Sequence, residues 1–313
     1  MAEFAHTPVM VDEVVELFGP VPAGVFVDAT VGGGGHAEAI LTAHDHLSLL
    51  GLDRDEDALA ASSERLAGFG DRVTLRHTRF DHLAEEVHAL GLEQVSGVLC
   101  DLGVSSPQLD RADRGFSYRS EAPLDMRMDR TQERTVAELV NTWTEADLAT
   151  LLRDAGGERY ARAIARAIVA NRPIERTDEL AEVIREAIPA PARRRGGDPA
   201  RRSFQALRIG VNDELDILEG TLDQAIDLLR PAGRAAVLAY HSGEDVIVKR
   251  CFRSAATGDC TCPPQLPCGC GARPSVRLLK QGAWKPSAAE VAANRRAESA
   301  RLRAVEKLPQ EEA

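Results

Sequence analysis

The sequence predicts an α/β fold in which a parallel β-sheet is interrupted by an inserted helical segment. Over the first hundred residues, short apolar runs alternate with helical stretches. Strands separated by helices of about 10 to 15 residues indicate βαβ units, which build a right-handed parallel sheet. The alternation stops near residue 105, and a strand-like run returns at 235–240. We therefore expect a sheet domain made of residues 1–105 and 213–313, and an inserted helical domain at 106–212.

The individual elements follow from periodicity and from capping residues. The predicted strands are 24–29, 48–53, 73–76, 95–101 and 235–240. The predicted helices are one that begins at Ala37, and 57–66, 83–90, 145–154, 160–170, 178–187, 214–229 and 287–307. Thr144 and Thr177 are placed to cap two of the inserted helices, and Ser287 with Glu290 three residues later is typical of a capping box. Residues 231–233, Pro-Ala-Gly, predict a stop between the helix at 214–229 and the last strand.

Composition limits the classes of protein that fit. The chain has 313 residues, of which 44% are hydrophobic, and no run of about 18 apolar residues that would predict a membrane span. Residues 1–11 lack the basic and apolar regions of a signal peptide, so we expect a cytoplasmic protein without a membrane partner. The net charge of −11 argues against a nucleic-acid partner unless basic patches are local.

Two such patches exist. Residues 185–210 contain seven arginines against two acids. Within them, 190–202 is rich in Pro, Gly and Arg without a helical period, which predicts a mobile loop able to bind phosphates. The stretch 273–307 is also locally basic and contains Trp284 beside Lys285. RNA could cross both surfaces.

Four consecutive glycines, 32–35, follow the first apolar run and precede a helix. Such a turn allows positive φ and lets a ligand approach the backbone, while the helix offers unpaired N–H groups. It lacks the Gly-Lys-Ser/Thr of a P-loop, and its register fits both D-x-x-x-G-x-G, beginning at Asp28, and the dinucleotide fingerprint. Asp53 ends the second strand about 20 residues later, where a carboxylate reaches the ribose of an adenosine ligand. The alternative is that Asp53 only caps the next helix.

The fourth strand ends in DLGVSSPQLD, residues 101–110. A tight polar turn here suits an enzyme that orients an exocyclic amino group toward a methyl donor, because the nitrogen lone pair is delocalised into the ring and must be positioned. Asp101 and nearby carbonyl groups are the candidates for this task. The preceding Cys100 lies in an apolar strand, so we expect it to be buried and inert.

Seven ordered motifs resemble the MraW family and extend over nearly the whole chain. They are HTPVM (6–10), DATVGGGGH (28–36), LDRD (52–55), DLGVSSPQLD (101–110), RGFSY with PLDMRMD (114–118 and 123–129), FQALRIGVNDEL (204–215) and YHSGEDVIVK (240–249). The resemblance implies a Rossmann-like class I methyltransferase sheet that uses S-adenosylmethionine. It also implies methylation of the N4 amino group of a cytidine in the decoding centre of small-subunit (16S) ribosomal RNA.

The resemblance further implies roles for individual residues. Those matching the family's cofactor contacts are Gly34, Gly35, His36, Asp53, Phe80, Asp101 and Gln108. Without the resemblance, Phe80 would be read as a core aromatic and Gln108 as a surface residue.

Asp101, Tyr240 and His241 are the candidate catalytic residues, all in positioning roles. Tyr240 would stack on the base and His241 would hydrogen-bond it, although a structural role for His241 is equally open. Ser105, Ser106 and Ser242 are further candidates for reading the base. The expected partner is small-subunit ribosomal RNA, which the inserted domain would recognise. We also expect the chain to form a weak homodimer.

The cysteines Cys260, Cys262, Cys268 and Cys270 place four thiols within eleven residues. Four thiols suit tetrahedral zinc, but C-x-C pairs are tighter than the usual C-x2-4-C spacing, and the cluster is not one of the family's motifs. A structural zinc ion and no metal at all therefore both stay open.

Two other classes of function share this fold: a nicotinamide-dependent dehydrogenase, and a non-catalytic RNA-binding assembly factor. The turn at 101–110 disfavours the dehydrogenase. An assembly factor predicts that Asp53 is dispensable.

Overall fold

The computed structural model describes residues 8–105, 108–109, 111–193, 197–263 and 269–309. The chain divides into two compact units, Met1–Gly103 with Ile217–Ala313 as the first and Val104–Asp216 as the second. The borders expected from the sequence are 105/106 and 212/213.

Seven strands of the described residues form one sheet in the first unit. They are β1 Gly24–Asp28, β2 Leu47–Asp53, β3 Val73–His77, β4 Val95–Asp101, β5 Leu229–Ala239, β6 Val276–Leu278 and β7 Arg301–Lys307. The order is β3-β2-β1-β4-β5-β7-β6; the first five are parallel, and β7 is antiparallel to β5 and β6. This confirms the predicted α/β fold. The order reverses between β1 and β4, the point of such a sheet where ligands bind at the carboxyl ends of the strands.

Alternating side chains along the strands bury both faces of the sheet. Phe26, Leu49 and Leu99 belong to one apolar cluster, whereas their chain neighbours Val27 and Leu50 belong to another. Because successive strand residues point to opposite faces, each strand contributes to both clusters. Burial of each such side chain stabilises the fold by about 1.5 to 3 kcal/mol, so the two clusters hold the carboxyl edge of the sheet in place.

Helices cover the sheet in the first unit. They are α1 Val11–Phe18, α2 Gly35–Ala43, α3 Glu56–Leu66 and α4 Leu83–Ala89, with two more, Leu218–Leu228 and Ser242–Thr257, after the second unit and a short one at Ala288–Ala293. Short 3-10 helices lie at Ala67–Arg72, Phe80–His82 and Arg295–Ser299. No helix among the residues described in either unit is long and apolar enough to cross a membrane.

The second unit is helical and has its own core. Its helices are Val136–Thr142, Glu145–Asp154, Ala161–Ala170, Thr177–Ala187, Ala190–Arg193 and Ala200–Asn212, with a 3-10 helix at Ala112–Arg114. Leu148, Ile164, Ile168 and Leu180 are among the fully buried side chains of its apolar cluster. The predicted cap Thr144 is confirmed, since its hydroxyl accepts a hydrogen bond from Asp147 N at 3.2 Å.

The predicted C-terminal helix at 287–307 is wrong beyond its first turns. Ser287 does cap a helix, accepting a hydrogen bond from Glu290 N at 3.1 Å, but that helix ends at Ala293. Residues 301–307 form β7, which buries Leu302, Ala304 and Val305 between β5 and β6. The helix-forming composition of this segment is overridden by its place in the sheet, since local propensity is weaker than tertiary pairing.

Three smaller predictions are also corrected. Thr177 is the first helical residue rather than a cap; its buried hydroxyl bonds the Ser120 carbonyl and accepts from Ala122 N. The helix predicted at 214–229 is Leu218–Leu228, and the strand β5 begins at Leu229, so it includes the Pro-Ala-Gly at 231–233 with an irregular register. The loop predicted at 190–202 contains one helical turn and the start of another helix, although residues 194–196 lie outside the described residues.

Candidate functional site

The glycine turn connects β1 to α2 at the switch point of the sheet. Gly32 and Gly34 have φ of 52° and 78°, a region that residues with a Cβ rarely adopt. A Cβ on Gly35 would come 2.4 Å from Pro8 Cγ, so this position needs glycine for space rather than for φ. The turn is therefore a bare backbone surface that leads into the N-terminus of α2, the arrangement that cradles a ligand's polar groups.

Asp53 lies at the end of β2 and braces this turn. Its Oδ2 accepts a hydrogen bond from Gly32 N at 2.8 Å, and its Oδ1 accepts one from Asp55 N at 2.9 Å. Burial raises the pKa of the Asp53 carboxyl, and these two hydrogen bonds oppose the rise. The helix cap is Asp55, which accepts from Asp57 N, so the alternative that Asp53 is the cap of α3 is wrong. Each carboxylate oxygen has a second lone pair, so Asp53 can still accept from a ligand's hydroxyl groups.

A cluster of ionisable groups lies beside the turn. His36, in the first turn of α2, is buried, and its Nε2 is 3.5 Å from Asp101 Oδ2. Neither ring nitrogen of His36 has a hydrogen-bond partner within the described part of the chain. Asp28 is also buried, and burial raises the pKa of its carboxyl to about 7 against the opposing charge of His36. Buried polar groups are nearly always paired, so the two nitrogens of His36 indicate a place where a ligand binds.

Asp101 ends β4 and is held from two sides. Its backbone N donates to Thr30 Oγ1 at 2.6 Å, and its Oδ1 accepts from the Tyr240 hydroxyl at 2.7 Å. Tyr240 follows β5, which pairs with β4, so adjacent parallel strands bring the two side chains to the same edge. Burial and the charge of Asp101 raise the pKa of Tyr240 well above 10, so Tyr240 stays protonated and donates. The contact leaves Asp101 oriented and able to accept further hydrogen bonds through Oδ2.

His241 is the N-cap of the helix Ser242–Thr257. Its Nδ1 accepts from Glu244 N at 3.4 Å, while Glu244 Oε2 accepts from the backbone N of both Tyr240 and His241. The His241 Nε2 lies 3.0 Å from Glu244 Oε1, an electrostatic contact rather than an aligned hydrogen bond. The structural role left open for His241 is therefore present, and its contact with a base stays a prediction. Ser242, the first helical residue, is exposed.

Phe80 is the first residue of the 3-10 helix after β3, and it is 92% buried in one of the two apolar clusters of the sheet. The Arg54 guanidinium lies 5.9 Å from its ring centroid. Phe80 is therefore a core aromatic, and its contact with the cofactor stays a prediction.

Three further predicted residues are Gln108, Ser106 and Cys100. Gln108 belongs to the second unit, is buried, and accepts from Ser105 N through Oε1 at 3.0 Å. Ser106 lies outside the described residues. Cys100 is buried, as predicted, and burial raises the pKa of its thiol to about 12. Its inertness stays a prediction.

Asp28, Thr30 and Glu244 support the site, and the sequence analysis assigned none of them a role there. Asp28 was visible as the first position of D-x-x-x-G-x-G. Thr30 accepts from the backbone N of Asp101, a long-range contact that has no sequence signature. Glu244 accepts from the backbone N of Tyr240 and His241 as part of a capping box.

The sequence is similar to proteins of a known methylase family. Residues 3–308 match the family model of the MraW methylase family. A protein of Symbiobacterium thermophilum named ribosomal RNA small subunit methyltransferase H is 53% identical over 310 residues, 97% of each chain. One of the same name from Acidothermus cellulolyticus is 54% identical over 309 residues, 97% of this chain and 94% of that one.

Among solved structures, an rRNA methylase from Streptococcus thermophilus covers 96% of this chain and 94% of its own, at 12% identity and a TM-score of 0.43, too low to support an argument about function. The family match, together with relatives that are more than half identical over nearly the full length, is enough to assign the family. The chain therefore belongs to the MraW methylase family.

Proposed function

We propose that this chain transfers a methyl group from S-adenosylmethionine to the N4 amino group of a cytidine in the decoding centre of small-subunit ribosomal RNA. Its membership of a methylase family, and relatives named small-subunit ribosomal RNA methyltransferases, support the general reaction. The choice of cytidine N4 is supported by the resemblance of the turn at 101–110 and by the Tyr240 to Asp101 hydrogen bond of 2.7 Å, the observation that carries the proposal.

S-adenosylmethionine supplies an activated methyl group on a positively charged sulfur. Three features of the chain suit the binding of S-adenosylmethionine. The glycine turn presents bare backbone, Asp53 offers acceptor lone pairs, and neither ring nitrogen of the buried His36 has a hydrogen-bond partner within the described residues. Gly34, Gly35, His36, Asp53, Phe80 and Asp101 would hold the cofactor, and Gln108 joins them on the resemblance alone.

Asp101 orients the target amine in this proposal. An exocyclic amino group donates two hydrogen bonds, and a carboxylate that accepts one of them fixes the nitrogen and its lone pair. Tyr240 holds Oδ1, and Oδ2, which lies 3.5 Å from His36 Nε2, would accept from the substrate. Because the nitrogen becomes acidic once it is methylated, the chemistry requires positioning more than a strong base. No cysteine takes part, since N-methylation forms no covalent adduct with the enzyme.

The helical second unit reads the RNA in this proposal. Of the seven arginines at 185–210, Arg185 pairs with Asp198 and Arg208 pairs with Glu214, each at 2.8 Å. Arg201 and Arg202 are exposed on the first turn of a helix, where they can contact phosphates. The protein would work in the cytoplasm, where small subunits are assembled, and a weak homodimer stays a prediction.

The test is incubation of the protein with isotopically labelled S-adenosylmethionine and small subunits from a strain that lacks the enzyme, followed by nucleoside mass spectrometry. We expect label in N4-methylcytidine, and none with an Asp101→Ala variant assayed at a cofactor concentration that saturates it. Glu56→Gln, an exposed change on α3, serves as the matched control. Label in another nucleoside would overturn the N4 assignment, and no label with any subunit would favour the assembly-factor alternative.

A further inference from the structure

The loop that connects the helix Ser242–Thr257 to β6 contains three converging thiols. The Sγ atoms of Cys260, Cys262 and Cys270 all lie within 4.8 Å of one another, and those of Cys260 and Cys270 are 3.6 Å apart. A disulfide needs about 2.05 Å between sulfurs. Two thiolates on one tetrahedral zinc ion, each at about 2.3 Å from it, are about 3.8 Å apart. The observed spacing therefore matches shared coordination of a metal and not a disulfide.

The ends of this loop are fixed before the cysteines are reached. Gly258 ends the helix with φ of 58°, and a Cβ there would come 2.6 Å from the Arg273 backbone. Ser275 N donates to the Ala255 carbonyl at 2.9 Å. The two segments that enter and leave the loop are therefore in contact. This contact brings Cys260 and Cys270 together although they are ten positions apart.

The loop has no apolar core of its own to maintain that convergence. None of the described residues at 259–263 and 269–274 is buried. Surface loops without buried side chains are ordinarily the least stable part of a fold. Thiols close enough to share one ion, in a segment that packing does not hold, are the usual signature of a structural zinc site.

We propose that Cys260, Cys262 and Cys270 bind one zinc ion whose role is structural. Zinc is favoured because sulfur-rich tetrahedral sites select it. The proposal assigns no position to Cys268, which lies outside the described residues. Each cysteine loses its thiol proton to bind, so affinity rises with pH. The site lies on a different loop from the glycine turn and from Asp101, so the proposal does not depend on the reaction proposed above.

Cobalt provides the test, because thiolate ligands give Co²⁺ an intense near-ultraviolet charge-transfer band and tetrahedral geometry gives visible bands. Tag-free, full-length protein, kept reduced with a non-thiol reductant and freed of metal, is titrated with Co²⁺ and then with Zn²⁺. We expect one equivalent of Co²⁺ with both spectral features, displaced by Zn²⁺. Cys262→Ser and Cys270→Ser should each weaken or abolish the bands, whereas Thr261→Ala, an exposed change between two of the ligands, should leave them intact.

A second measurement uses the unmutated chain, so it tests the proposal even if the cysteine variants fail to fold. Zinc should slow proteolytic cleavage within residues 259–272, while calorimetric binding of S-adenosylhomocysteine is the same with and without zinc. Three results would overturn the proposal: less than half an equivalent of Co²⁺ bound, bands without thiolate charge transfer, or equal bands in Thr261→Ala and the cysteine variants. Equal cleavage with and without zinc would also overturn it.

Discussion

Replacing Asp53 separates its role toward a ligand from its role in the fold. In Asp53→Ala, the N–H groups of Gly32 and Asp55 lose their acceptors, which lie 2.8 and 2.9 Å away. Because Asp53 is only half-buried, water can replace part of these two hydrogen bonds. Burial raises the pKa of the Asp53 carboxyl, so the charged group is costly to bury, and removing it offsets some of the lost stability. A hydrogen bond to a charged group contributes about 1.5 to 3 kcal/mol, so loss of one ribose contact should weaken cofactor binding roughly 10- to 150-fold.

The assay is calorimetric titration with S-adenosylhomocysteine, with thermal unfolding of each variant alone. Asp53→Asn keeps an acceptor oxygen for one backbone N–H but not the charge, so it should lose cofactor affinity with a smaller change in stability than Asp53→Ala. Glu56→Gln, exposed three residues later, should bind like the unmutated chain. If both Asp53 variants bind with unchanged affinity, the ribose assignment is wrong, and if affinity falls only as far as stability falls, Asp53 merely braces the turn.

Further predictions concern other parts of the molecule. Because the pKa of Asp28 is about 7 in the fold and 3.8 ordinarily, the folded state keeps a proton that the unfolded chain loses, so the contribution of Asp28 to stability should fall as pH rises from about 4 to 7. Asp28→Asn should remove that contribution in denaturant titrations over this pH range, and an identical pH dependence in the two proteins would refute the buried carboxyl as its source. Replacing Arg201 and Arg202 by Ala should weaken RNA binding and lower the salt slope by roughly 1.5, with Arg153→Ala, paired to its neighbour, as control. An equal slope in both variants would exclude phosphate contacts at the helix start. The Cys100 thiol, with a pKa of about 12, should resist iodoacetamide at pH 8 in the folded protein, and rapid labelling would contradict its burial.

The parallel sheet, the glycine turn and the carboxylates at the strand ends could all be predicted from the sequence. These features depend on local patterns: apolar runs of strand length, glycines where φ must be positive, and polar residues directly after a strand. Asp53 and Asp101 could therefore be predicted one by one. The roles of Phe80 and Gln108 depended on family resemblance, because an aromatic or an amide alone has no distinctive pattern.

Contacts between groups that are distant in the sequence depend on long-range packing and strand pairing. Tyr240 and Asp101 are 139 positions apart and form a hydrogen bond because β5 lies beside β4. The same long-range pairing turned residues 301–307, helical by composition, into β7 between two strands. Thr30 accepts from the backbone N of Asp101, 71 positions away, and the spacing of the Cys260 and Cys270 sulfurs depends on the two ends of a loop being in contact. Local composition fixes what each segment can form, whereas burial and strand pairing between remote segments fix which of those forms is adopted.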